Sequence, residues 1–218
     1  MGVTRTDDRT VLRNHWVPRP GWSPGRSLLA CYLALDTYPQ VTEHLVRHQD
    51  MLGDLAQIDL VPVPWMHVTV QGIAFLDELP ADSMSELADA LREPLALLEA
   101  PRVRLGLPEP GGEGMFFPLT PRGRLSEMRD QIRETAMKVL ELPLLYGLPG
   151  QDQDFCPHAS FAYANSDMAV QEVMSRLADV TRPPVEIAVT SVSVIALRQS
   201  DRRWWWGDRR DVPVGDAR

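Results

Sequence analysis

The apolar positions of this chain follow two periods. Short apolar runs at 27–37, 65–76, 102–107, 115–119, 155–164 and 184–197 end in turn residues and predict strands, the last of them a strand or a strand pair. Between them the spacing changes to three and four. Val41, Leu45, Leu52 and Leu55 predict a helix over 38–56, with Pro39 tolerated in its first turn. Asp82 caps a helix over 82–100, carried by Met84, Leu87, Leu91, Leu95 and Leu98, which Pro94 should kink or split. Leu125, Met128, Ile132, Ala136 and Val139 give a long helix over 120–142, and a shorter one covers 167–180. Residues 1–26, rich in Arg, Pro and Gly, read as an extended lead whose tryptophans pack onto the body. Residues 202–206 open a last extended segment that ends at Val214.

Each half of the body offers strand, helix, strand, helix. That order predicts an α+β fold made of a duplicated unit with pseudo-twofold symmetry, and the body at 27–218 is of a length that suits one globular domain or two small lobes around a shared cleft.

Composition narrows the function classes. The net charge of −8 argues against a long nucleic-acid footprint, which shows a basic stripe, but leaves room for a local basic pocket. No run approaches 18 apolar residues, so no membrane span is expected. The polar start lacks an apolar leader segment, and the two cysteines, Cys31 and Cys156, fit neither a disulfide scaffold nor a zinc ribbon. A cytoplasmic protein with reduced thiols is expected.

Two strings carry the chemistry: His67-Val68-Thr69-Val70 and His158-Ala159-Ser160-Phe161. Each places a hydroxyl two residues after a histidine on a strand, so imidazole and hydroxyl share one face. On neighbouring strands, two imidazoles divide proton removal from proton donation, and Thr69 and Ser160 hold phosphate oxygens. Trp65 shares the His67 face and is a candidate for stacking on a base. Cys156 shares the His158 face, although no third group orients a Cys–His pair there. Strand parity sends Tyr163 to the opposite face, and Phe161 reads as core. His44 and His48 stand at i, i+4 and read as solvated helix residues rather than a metal pair. Arg198, Arg202 and Arg203 flank Trp204-Trp205-Trp206, read as a surface strand covering a sheet edge, its charge neutralised by Asp201, Asp208 and Asp211. The turn Gly111–Gly114 lacks the lysine and hydroxyl of a triphosphate loop.

With both motifs in place, the region from Ser27 to Leu197 resembles the 2H phosphoesterase superfamily, and within it the bacterial branch called 2'-5' RNA ligase-like or RNA 2',3'-cyclic phosphodiesterase. The resemblance implies a bilobal fold with two antiparallel sheets flanking a central cleft and helices outside. It implies His67 and His158 as catalytic residues at the cleft floor, Thr69 and Ser160 on the phosphate, and cleavage of a cyclic phosphate without metal or other cofactor. The implied partner is a small nucleotide or an RNA terminus with a cyclic phosphate, met by a monomer, and 2'-5' ligation would be the reverse reaction. Phe161-Ala162-Tyr163-Ala164-Asn165 replaces the basic residue that often follows the second motif in the RNA-processing branch. Two other readings therefore stay open: a nucleotide-binding protein without turnover, and an enzyme of this fold recruited to small-metabolite biosynthesis.

Overall fold

The structure is a computed structural model that describes residues 10–147, 155–180 and 185–215. The polar start at 1–9, and Pro184, where the apolar pattern begins its last body strand, lie outside the described residues. The lead supplies β1 (Val11–Leu12). The first half contains β2 (Ser27–Ala34), α1 (Pro39–Asp50), β3 (Ile58–Leu60), β4 (His67–Phe75), α2 (Ser83–Ala90) and α3 (Arg92–Ala96). The second half opens with β5 (Arg102–Leu105), β6 (Glu109–Pro110), β7 (Gly114–Thr120), α4 (Gly123–Val139) and β8 (His158–Ala164). It continues with β9 (Met168–Ala169), α5 (Val170–Leu177), β10 (Glu186–Ala188), β11 (Ser191–Ser200), β12 (Arg203–Trp205) and β13 (Arg209–Pro213).

The α+β architecture matches the apolar pattern, with differences of physical origin. The 82–100 helix does split, but the break falls at Leu91, ahead of Pro94. A proline ring collides with the carbonyl four residues earlier, so the helix fails one turn upstream of it. The 184–197 run, which reads as a strand or a strand pair, is a pair. β10 pairs with β5 at one sheet edge, and β11 crosses back to pair with β2.

Strands run antiparallel in the order β10-β5-β7-β8-β4-β2-β11-β12. The two sheets of the halves meet at one residue pair, Val68 with Ala159, where the two motif strands touch. They therefore join into one continuous eleven-stranded sheet. The helices exchange halves: α1 of the first half packs on β8, and α4 of the second packs on β4. Each motif strand is thus clamped between its sheet and a helix from the other half. The apolar faces of α1 (Val41, Leu45) and α4 (Leu125, Met128, Ile132) are buried in the same core cluster as Val68, Ala159 and Phe161.

His44 and His48 do not face solvent. They are 6% and 1% exposed and lie against Phe117 and Phe161. The face of α1 that meets β8 extends across them, so they join the core. The described residues contain no cluster of three or more metal-ligating side chains, and none of the described helices is long and apolar enough to cross a membrane.

Candidate active site

The single Val68–Ala159 pair organises the site. Both residues are fully buried and point into the core. Extending this antiparallel register by one residue either way sets His67 opposite Ser160 and Thr69 opposite His158. All four side chains line one cavity of about 550 Å³. The two motifs therefore interlock, each histidine standing across from the hydroxyl of the other.

Both imidazoles are held alike. The Nδ1–H of His67 donates to the Trp65 carbonyl at 2.7 Å, and that of His158 donates to the Cys156 carbonyl at 2.8 Å. A carbonyl only accepts, so Nδ1 carries the proton and Nε2 is left for the cleft. Their surroundings differ. His67 is half-buried, stacked on Tyr32 at 4.3 Å, with Trp206 edge-on at 5.6 Å. Burial pushes its pKa down to about 4; the hydrogen bond to the Trp65 carbonyl opposes this, and the charge of His158 adds the smallest push, again downward. His158 is exposed, with the Phe116 ring at 4.9 Å.

Each motif hydroxyl also has a tyrosine. Tyr32, opposite Thr69 in the β2–β4 register, hydrogen-bonds it, and Tyr163 hydrogen-bonds Ser160. Burial raises the pKa of both phenols, so they stay protonated. Tyr163 thus stands on the cleft face, not the opposite face that strand parity implies. The cause is a bulge in β8: Met115 pairs with Ala162 but Phe116 pairs with Ser160, leaving Phe161 unopposed. One extra residue reverses the parity beyond it. The Phe161 carbonyl at the bulge accepts from the Val61 N–H at 3.0 Å and the Gln49 amide at 2.8 Å.

Trp65 is not among the residues lining the cavity. Its indole turns away and donates to the Trp206 carbonyl at 3.2 Å, because the 3-10 turn Val63–Trp65 breaks strand alternation just before His67. Cys156 lines the cleft. The tryptophan triplet does more than cover an edge: Trp206 is buried beside Tyr32 and His67, and Trp204 lines the cleft. Arg202 pairs with Asp59 at 3.5 Å, a partner outside the expected acidic neighbours.

Several cleft residues escape a sequence reading. The lead brings in His15, Arg19 and Trp22, and the Gly-rich turn brings Glu113. His15 stacks on Tyr163 at 3.9 Å, and its Nε2 accepts the Trp204 indole N–H at 2.8 Å, which puts its proton on Nδ1, facing Glu113 at 3.2 Å. Burial alone would raise the Glu113 pKa, but the hydrogen bonds from His15 and Arg19 outweigh it and hold it at about 2. Arg122, just before α4, adds a guanidinium to the wall. The signal for the lead was present: tryptophans in a polar, Pro-rich stretch are costly to leave in water.

Comparison with known proteins agrees with this architecture. TT0787 of Thermus thermophilus superposes with a TM-score of 0.60 at 18% identity, covering 85% of this chain and 97% of its own. Escherichia coli LigT in apo form gives 0.57 at 16%, covering 86% and 98%, and the MHV ns2 PDE domain gives 0.52 at 12%, covering 87% and 99%. These likenesses establish the fold. No curated protein matches the chain. The family model described as the 2'-5' RNA ligase superfamily matches residues 39–201, a span that contains both histidine motifs and all of the strands joining them, and the chain therefore belongs to that superfamily.

Proposed function

We propose that this protein is a phosphodiesterase that hydrolyses a 2',3'-cyclic phosphate, on a nucleotide or an RNA end, by two-histidine acid–base catalysis. The observation that carries this reading is the interlocked pair of motifs, with both imidazoles locked in one tautomer and both Nε2 atoms free for the cleft. Solved structures of E. coli LigT hold phosphate, 3'-AMP, ATP or NADP+, which supports a nucleotide phosphate as the ligand here.

The environments divide the roles. Two imidazoles facing one phosphate share at most one proton near neutrality, since each charge disfavours the other. Burial disfavours the charged form of His67, which suits it to take a proton, and the acid role falls to His158, exposed at the cleft. His67 Nε2 takes a proton from water as the water oxygen bonds to phosphorus. The opposite P–O bond breaks, and His158 Nε2 gives its proton to the departing ribose oxygen. Thr69 and Ser160 donate to the non-bridging oxygens, where charge gathers. Neither proton transfer uses a metal ion. The product is a 2'- or 3'-phosphomonoester on the same nucleoside, with the proton inventory of the pair exchanged between the histidines. A 5'-hydroxyl in place of water gives 2'-5' ligation in the same site.

The test is incubation with the four nucleoside 2',3'-cyclic monophosphates in EDTA. Turnover to a nucleoside monophosphate is expected. Tight binding of AMP with no product from any of the four would assign the protein to the binding role instead.

A further inference from the structure

Residues 10–26 are tied down along their length to both halves of the molecule. At one end β1 pairs with β9, and backbone bonds run from Arg13 N–H to the Gly112 carbonyl at 2.7 Å and from His15 N–H to the Ala164 carbonyl at 2.8 Å. At the other, Arg26 pairs with Asp77 and Glu78, each at 2.6 Å, and lies 3.8 Å over the Phe75 ring. Between these anchors Arg19 bonds Glu113 at 2.6 Å, and the Trp22 indole donates to the Tyr146 hydroxyl at 3.0 Å. The segment thus spans from the second half to the first, and His15, Arg19 and Trp22 form part of the cleft wall on the way. It lies wholly outside the span matched by the family model.

We propose that this segment is a fixed strap that closes one end of the histidine cleft and restricts it to a phosphoester the size of one nucleotide, with Trp22 and Trp204 as the wall for its flat apolar group. The proposal rests on the phosphodiesterase reading and names its substrate class. Three observations support it. The cavity volume, about 550 Å³, is that of a small-molecule site. Trp22 and Trp204 meet edge to face at 4.9 Å, each indole N–H already bonded to protein, so the wall is preformed. A polymer also needs a cationic track leading out of the cleft, and the described strap arginines are committed: Arg13 to Asp167, Arg19 to Glu113, Arg26 to Asp77 and Glu78.

The experiment compares kcat/KM for adenosine 2',3'-cyclic monophosphate with that for a ten-nucleotide RNA ending in a 2',3'-cyclic phosphate, in the full-length protein. The strap makes the mononucleotide preferred by about tenfold or more, and Trp22→Ala cuts that preference by about tenfold through KM, as loss of one stacking wall does. Trp22→Phe keeps most of the preference, and Trp205→Ala, away from the cleft, keeps all of it. Equal turnover of both substrates by the unaltered protein, or a Trp22→Ala variant that slows both alike, overturns the strap. If neither substrate is turned over, the phosphodiesterase reading fails. The strap is then judged by quenching of tryptophan fluorescence with 3'-AMP and with the same RNA bearing a 3'-phosphate. Quenching by 3'-AMP alone upholds it, and equal quenching, or none, overturns it.

Discussion

At the residue scale, the proposed chemistry turns on a difference between two imidazoles with similar backbone anchors. His67 is held neutral by burial and His158 is open to water. NMR titration of the ring protons should show His67 charging near pH 4, well below an ordinary histidine. Restoring a value near 6.5 would remove the basis for its role as base. The tyrosines make a second residue-scale prediction. Tyr32 bonds Thr69 while stacking on His67, so Tyr32→Phe keeps the stack and loses the hydroxyl contact. We expect kcat to fall by about three- to tenfold with KM little changed, the loss of one neutral hydrogen bond. The four motif residues were legible in the sequence because a strand repeats every second residue. Tyr163 was not, because parity holds only until the first bulge. His15 and Arg19 were not, because nothing local encodes where a lead folds back.

At the element scale, the bulge in β8 is the feature that turns Tyr163 toward Ser160, and α1 stabilises it. Gln49, 6% exposed, donates its amide to both the Val61 and Phe161 carbonyls, at 2.7 and 2.8 Å. Gln49→Met fills the same space without donors. It should cost about 1–3 kcal/mol in urea unfolding, since a buried carbonyl is left without its partner, and lower kcat by releasing Tyr163. Unchanged stability would mean the bulge does not depend on α1. Helix positions and their apolar faces were readable from spacing, and so were most of the body strands. The two-residue and three-residue strands were not, because their pairing depends on partners far along the chain, as with β3 on β8 and β1 on β9.

At the scale of the whole molecule, the exchange of helices packs each half against the other, and the buried histidines predict a fold sensitive to acid. Burial first, then the charges of His48 and Arg47, lower His44 to about 4. The folded state therefore binds fewer protons than the unfolded one between pH 6.5 and 4. The stability from neutral His44 is complete above pH 6.5 and is lost as pH falls toward 4. His67 acts in the same direction. His44 Nε2 also lacks a hydrogen-bond partner in its buried position. His44→Leu should therefore raise stability by about 1 kcal/mol at pH 7 and by more at pH 5, read from thermal melts. A gain that shrinks at pH 5 would contradict this. The pseudo-twofold plan was legible from the order of elements and the spacing of the motifs. The joining of its sheets through one residue pair was not, since register between strands so far apart in sequence is set by packing.

The central claim is that one site, built twice, needs both of its histidines. The most direct measurement is kcat/KM against pH for a nucleoside 2',3'-cyclic monophosphate in EDTA, for the unaltered protein, His67→Ala and His158→Ala. The account expects a bell-shaped profile whose acid limb lies below pH 6.5, and a loss of about 10²- to 10⁴-fold in each variant, the size of a general acid–base contribution. Each variant should lose one limb of the bell. Near-normal turnover by either variant, or a profile with both limbs intact after either substitution, would contradict it.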